Sequence, residues 1–235
     1  MSPITWTPTA LASEARPWHG RAWRVVEDQR VASTMKLVDT AAEQVVLEAL
    51  LDAAKPPLPA AAKPLHYLLS TPFRYPPLPG GSRFRAGGEP GVFYGADALP
   101  TACAELGYWR WRFLRDATAM SRLPPVVHTA FQASLRATTI DTREPPLARD
   151  AAKWTNPDDY RDCQALARAA RAADIGAIRY ASVRHPEHGG CVALLTPTGF
   201  VGRKPVGEQK RLWLSVQPTR VTWQVDQTLL EFSYA

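Results

Sequence analysis

The chain has 235 residues, 46% of them hydrophobic and 21% charged, with a formal charge of +6. This is the balance of a globular protein, and it excludes a fibrous or disordered chain. No apolar run reaches the roughly 20 residues that span a bilayer, and the first residues lack a basic stretch followed by an apolar core, so a cytoplasmic protein without membrane attachment is expected. Cys103, Cys163 and Cys191 are too scattered for a disulfide framework or a zinc site, which points to a reducing compartment. The positive charge favours anionic partners, from nucleotides to nucleic acid, yet no dense lysine or arginine run selects among them.

In chain order, residues 1–21 read as an irregular segment and 22–235 as one folded domain. AWRVVED, Ala22 to Asp28, alternates as a short strand, with Trp23 and Val25 on one face and Arg24 on the other. From Thr34 to about Ala54, Leu37, Val38, Ala41, Val45, Leu47, Leu50 and Leu51 follow helical spacing, with Glu43 and Glu48 facing water. Lys55, Pro56 and Pro57 stop that helix, and an Ala/Pro-rich loop runs to Pro64. His66 to Ser70 is a brief extended or helical piece before a proline- and glycine-rich loop from Pro72 to Pro90, and GVFYG, Gly91 to Gly95, is a short strand.

Asp97 and Pro100 mark the entry of a helix over Thr101 to Arg115. Ala102, Leu106, Trp109 and Phe113 share one of its faces, and Thr101, Glu105, Tyr108 and Arg112 another. One turn in, the charge of Glu105 is favoured by about 0.3–1 kcal/mol at an exposed helix N-terminus. Val126 to Leu135 and Ala137 to Asp141 read as strands, and Asp158 to Ala173 as a helix carrying Tyr160, Cys163, Leu166, Ala167 and Ala170. Strands over Ile175 to Ala181 and Cys191 to Pro197 flank the loop SVRHPEHGG, and two more lie near Leu212 to Gln217 and Arg220 to Asp226. The sum is an α+β domain with a mixed, largely antiparallel sheet flanked by helices.

The chemistry concentrates between Leu65 and Leu114, where arginines, glycines and aromatics suit a nucleotide. Arginine forks match phosphate, glycine lets backbone N–H groups approach it, and aromatic rings stack on bases. A carboxylate repels phosphate, so Glu105 in this company points to chemistry at a sugar. Competing ordinary readings are a Glu105 that pairs with Arg112, a surface Arg24, a core Tyr94 and a turn-forming Ser182. His185 and His188 read as part of a solvated turn, since no carboxylate or cysteine cluster completes a metal site. Gly80, Gly81, Gly87 and Gly88 fit no phosphate-loop pattern, and the aromatics from Trp109 to Phe113 read as core or interface.

Taken together, AWRVVE with Arg24, HYLLSTPFRYPPLPGGSRF with Arg74 and Arg83, GVFYGAD with Tyr94, TACAELGYWR with Glu105, DCQALARAAR after Tyr160, and IRYASVRHPEHGGCVALL with Ser182 resemble the RES family. These are toxins of RES–Xre toxin–antitoxin pairs. The resemblance implies an ADP-ribosyltransferase-like fold and an enzyme that consumes NAD, either by phosphorolysis or by transfer of ADP-ribose to a protein. It assigns the family's arginine and glutamate to Arg24 and Glu105, and its serine to Ser182 or to a residue near Tyr160. The usual glycine-glycine-arginine-tryptophan loop is altered here to Gly80-Gly81-Ser82-Arg83-Phe84.

On this reading Glu105, Arg24 and Tyr94 are catalytic, and Arg24, Arg74, Arg83, Tyr94 and Ser182 bind NAD, with inorganic phosphate as co-substrate and no metal. The carboxylate would stabilise an oxocarbenium-like transition state. The implied partner is an antitoxin with a helix-turn-helix, Xre-like domain. A homodimer is allowed, and direct contact with nucleic acid or membrane is not expected. A basic nucleic-acid-binding or interaction module without catalysis is the rival from another class.

Overall fold

A computed structural model describes residues 6–28, 37–77, 79–117 and 119–234. In chain order it contains helix α1 (Pro8–Glu14), strand β1 (Arg16–Glu27), helix α2 (Ala41–Ala54), the single turn α3 (Tyr67–Ser70), strand β2 (Phe93–Ala96), helix α4 (Leu99–Asp116), strand β3 (Leu123–Asp141) and the short α5 (Ala151–Trp154). Helix α6 (Arg161–Ala172) and strands β4 (Ala177–Ala181), β5 (Gly190–Leu194), β6 (Val206–Gln217), β7 (Arg220–Val225) and β8 (Thr228–Phe232) follow. Among the described residues no helix is long and apolar enough to cross a membrane.

The strands form one sheet in the order β1-β2-β5-β4-β3-β6-β7-β8, and β1 also pairs with β3. Only β3–β4 is parallel, so the domain is α+β with a mixed, largely antiparallel sheet, as expected. The parallel pair needs a long crossover, and α5 and α6 lie within it. The extra β1–β3 pairing closes β1, β2, β5, β4 and β3 into a ring. Its narrowest seam is a single β1–β2 pair, Trp23↔Ala96.

Residues 6–21 are not the irregular segment expected, and residues 1–5 lie outside the described residues. The Thr7 hydroxyl accepts a bond from the Ala10 N–H at 3.2 Å and Pro8 opens α1, a helix start that needs no long apolar pattern. Leu11 is fully buried in the main core. Strand β1 begins at Arg16 because β3 offers it a partner at every position from Arg16↔Thr139 to Glu27↔His128. The same pairing carries β3 unbroken through Arg136, which lies opposite His19, so one 19-residue strand replaces the two expected. β8 was not foreseen; Asp226, at φ 53, turns β7 back on it.

Helix α2 differs in another way. It starts at Ala41, where Thr40 and Glu43 form a reciprocal capping box, so Glu43 caps the helix in place of simply facing water. The earlier part of the expected helix, before Leu37, falls outside the described residues. None of the residues of α2 is buried, and Val45 and Leu50 are 69% and 64% exposed despite their helical spacing.

Helix α4 packs across the sheet. The Trp223 indole donates to the Cys103 carbonyl at 3.1 Å, the Tyr234 hydroxyl to the Ala104 carbonyl at 2.7 Å, and the Trp111 indole to the Pro218 carbonyl at 2.9 Å. At Gly107 a Cβ would stand 3.0 Å from Val221 and 3.1 Å from the Trp223 indole nitrogen, so glycine sets how closely helix and sheet approach. The buried stripe is therefore Thr101, Ala104, Tyr108 and Trp111. The expected stripe holds through Leu106, which packs partly buried against the core, and fails beyond it, because Trp109 and Phe113 are half exposed. The tail strands, distant in sequence, selected the other face.

Candidate active site

Where the ring is held by the one Trp23↔Ala96 pair, the strands part and leave a cleft of ≈ 400 Å³ lined by both residues. That is within the usual size of a small-molecule site. Arg24 comes to it from β1, Arg83 from the loop before β2, Tyr94 from β2 and Glu105 from α4. Four of the residues singled out in the sequence thus meet, although Arg24 and Glu105 are 81 positions apart.

Glu105 is the seventh residue of α4, since the helix starts at Leu99, so it is beyond the first turn and out of reach of the helix terminus. Ser182 holds it instead. Its Oγ lies 2.5 Å from Glu105 Oε1 and accepts the backbone N–H groups of Arg184 and His185 at 3.2 and 3.0 Å. With both lone-pair directions occupied, the single hydroxyl proton points at the carboxylate. Ser182 is fully buried behind Glu105 and does not line the cleft, which corrects its expected role as a ligand contact. The backbone N–H of Ser182 bonds Gly189 O at 2.8 Å and its carbonyl meets His188 Nδ1 at 2.9 Å, so the SVRHPEHGG turn is the frame that aims the hydroxyl.

Arg24 donates from Nη1 to the Tyr94 carbonyl at 2.7 Å and its guanidinium lies over the Phe93 ring at 5.1 Å. It sits on the face opposite Trp23 and Val25, as the alternation predicts: those two pack with the cluster that includes α4, while Phe93 belongs to the second cluster. Burial pushes its pKa down to about 10, partly opposed by Tyr94 and Tyr180, so it remains a cation at neutral pH. Its buried Nε has no hydrogen-bond partner among the described residues. An orphaned donor of this kind costs about 1–3 kcal/mol, and an anionic oxygen would satisfy it.

Tyr94 and Arg83 are more committed than the sequence implies. The Tyr94 hydroxyl meets Ser82 Oγ at 2.8 Å and accepts the Phe84 N–H at 2.9 Å, and burial pushes its pKa up to about 12. Its ring, not its hydroxyl, is left for a ligand. Arg83 Nη1 donates to the carbonyls of Trp154 and Asn156, both at 2.9 Å, and its guanidinium stacks on Tyr160 at 4.7 Å. The loop around it is pinned by Gln164 of α6, whose amide bonds the carbonyls of Gly80 and Ser82 at 3.1 Å. Gly81, at φ 75, has Arg85 O where a Cβ would go, 2.1 Å away, so the tight turn admits only glycine.

Arg74 is not brought to the cleft; it lines a neighbouring groove. Its place is taken by residues that sequence reasoning did not single out. Arg184 lines the cleft with its guanidinium 3.5 Å above the Tyr108 ring and Nη2 on the Pro157 carbonyl at 2.5 Å, and Arg85, Tyr160 and Tyr180 complete the wall. The clue to Arg184 was its position two residues after Ser182. The three cysteines are free and buried, and burial raises all three thiols, to about 12 for Cys103 and about 11 for Cys163. None is poised as a thiolate. Among the described residues no three or more His, Cys, Asp or Glu side chains gather to hold a metal.

Fold and cleft together define a class: a mixed-sheet α+β domain in which one oriented carboxylate faces arginines and aromatic rings. The RES domain family matches residues 57–215, and the chain belongs to that family. Arg83, Tyr94, Glu105 and Ser182 fall inside the match and Arg24 before it. Among solved structures the chain is similar to the crystal structure of the M. tuberculosis MbcT–MbcA toxin–antitoxin complex, with a TM-score of 0.48 and 12% identity over 87% of this chain and 87% of that chain. No curated protein matches.

Proposed function

We propose that this RES-family protein is the toxin of a toxin–antitoxin pair and that it cleaves the bond between nicotinamide and ribose in NAD, with inorganic phosphate as acceptor. The observation that carries the reading is the Glu105 carboxylate fixed by a buried serine hydroxyl, 2.5 Å away, at the wall of an arginine-lined cleft. As the C1′–N bond breaks, its electron pair leaves with nicotinamide and positive charge develops on the ribose. Glu105 accepts a hydrogen bond from a ribose hydroxyl and stabilises that charge. Arg24, through its open Nε, and Arg184 hold the diphosphate, and Tyr94 offers its ring to the nicotinamide. A phosphate oxygen then bonds C1′, giving ADP-ribose phosphate and free nicotinamide.

Trp109 lines the cleft while remaining 48% exposed, and Phe113, one turn on, is 54% exposed. That apolar rim suits a protein partner, which we assign to an antitoxin with a helix-turn-helix domain that restrains the enzyme in the cytoplasm. The test is product-resolved: purified protein with NAD, with and without phosphate, followed by mass spectrometry. Nicotinamide and ADP-ribose phosphate are expected, and Glu105→Gln should lower the rate by about 10²–10³-fold while keeping the unfolding midpoint. ADP-ribose mass on a protein would move the reading to protein modification. No nicotinamide under any acceptor condition, with salt-dependent nucleic-acid binding instead, would replace the enzyme by a binding module.

A further inference from the structure

Beside the cleft lies a second groove of ≈ 630 Å³, walled by Pro59, Phe73, Pro76, Pro90 and Pro197. It shares Pro77 and Arg85 with the cleft and carries Arg74, Arg85 and Arg171 against one carboxylate, Glu89. That carboxylate is already spent. Its Oε1 pairs with Arg168 at 3.1 Å, and its Oε2 accepts the Ala86 N–H at 2.8 Å and stands 3.6 Å from Arg171 Nη1.

The arginines are left with donors to spare. Arg74 Nε, Arg171 Nε and Arg171 Nη1 are buried without a hydrogen-bond partner among the described residues. Arg171 Nη2 has only the carbonyls of Phe84 and Pro90, both at 3.5 Å. Arg85 Nε bonds the Glu89 carbonyl at 3.0 Å, which turns this side chain across the wall between groove and cleft. Burial lowers the pKa of Arg171, and the like charges of Arg85 and Arg168 add to the effect against the pull of Glu89. Crowded cations with unused donors in a rigid proline frame are what a multivalent oxyanion relieves, because each oxygen accepts several N–H bonds and guanidinium forks match its geometry.

We propose that this groove is a second anion site that binds a phosphate group through Arg74, Arg85 and Arg171, separate from the Glu105 cleft. The phosphate group comes from inorganic phosphate or from a 5′-mononucleotide. The proposal does not rest on the NAD reading, since it concerns equilibrium binding and no turnover.

Calorimetric titration of the purified protein with inorganic phosphate and with AMP, at constant ionic strength, tests it. Arg74→Gln and Arg171→Gln should each weaken phosphate binding about tenfold, the loss expected of a charge-assisted bond, with the Arg220→Gln variant, on β7 and outside both groove and cleft, binding as the parent does. Should Arg171→Gln fail to fold, Arg74→Gln, on the outer loop, carries the test. AMP that competes with phosphate for the Arg74-dependent site identifies a nucleotide phosphate as the occupant, and AMP that does not compete identifies inorganic phosphate. Unchanged phosphate binding in both groove variants, or an equal loss in Arg220→Gln, overturns the proposal, while NAD cleavage in the parent protein is a separate measurement that either result leaves untouched.

Discussion

At Glu105 the Ser182 hydroxyl supplies what the helix start was expected to supply, a fixed donor that holds the carboxylate at the wall of the cleft. The helix begins at Leu99, too early for its N-terminus to act, whereas the serine proton has one direction left once two backbone N–H groups hold its oxygen. Removing the hydroxyl leaves Glu105 in place but unaimed. Ser182→Ala should cut kcat for nicotinamide release by about ten- to a hundredfold, the worth of a hydrogen bond to a charged group, with little change in KM. An unchanged kcat in Ser182→Ala would reduce Ser182 to a structural residue. Arg24, Arg83, Tyr94 and Glu105 were legible because their residue types announce phosphate, base and sugar. The task of Ser182 was not, because it depends on a hydrogen bond across 77 residues.

Between elements, the loop that carries Arg83 is held by side chains from outside it. Gln164 of α6 bonds two of its carbonyls, and the Tyr94 hydroxyl holds Ser82 and the Phe84 N–H. Gln164→Ala removes one side of this clamp and leaves the core untouched, at a cost of about 1–2 kcal/mol for two neutral hydrogen bonds. The expected result is a KM for NAD raised several-fold with kcat nearly unchanged, read by steady-state nicotinamide release, and an unfolding midpoint lowered by a few degrees. A fall in kcat alone would mean that the loop positions the reacting bond and not the ligand as a whole. The same scale explains two misreadings. Helix α2 has helical spacing without a buried residue, since periodicity states which face is apolar and not whether anything covers it. Helix α4 buries its Tyr108 face because Trp223 and Tyr234 arrive there from the tail.

For the whole molecule, the ring of strands is locked by β3, whose two edges carry β1, β4 and β6. His128 lies inside β3, 1% exposed, with Nδ1 beside the Val126 carbonyl at 3.0 Å, its ring against Trp223 and Nε2 without a partner among the described residues. Burial lowers its pKa below 6.5, and Arg110 lowers it further, while the Val126 carbonyl, Glu27 and Asp28 oppose. The unfolded chain therefore takes up a proton that the folded one resists, and stability falls as pH drops through about 6.5. Thermal unfolding at pH 7.5 and 5.5 should show a lower midpoint at pH 5.5, and His128→Gln should flatten the difference. Equal slopes in the two proteins would shift the effect to other groups. The amino-acid order alone specified the α+β class, most strand and helix segments, and the residue types of the proposed nucleotide site, because periodicity and side-chain chemistry are local properties. Only the tertiary structure closed the ring through β1 and β3, chose the buried face of α4, set Ser182 behind Glu105 and sent Arg74 to a different groove. Each of those depends on which distant segment supplies a hydrogen-bond partner or a packing surface, and spacing along the chain does not encode that.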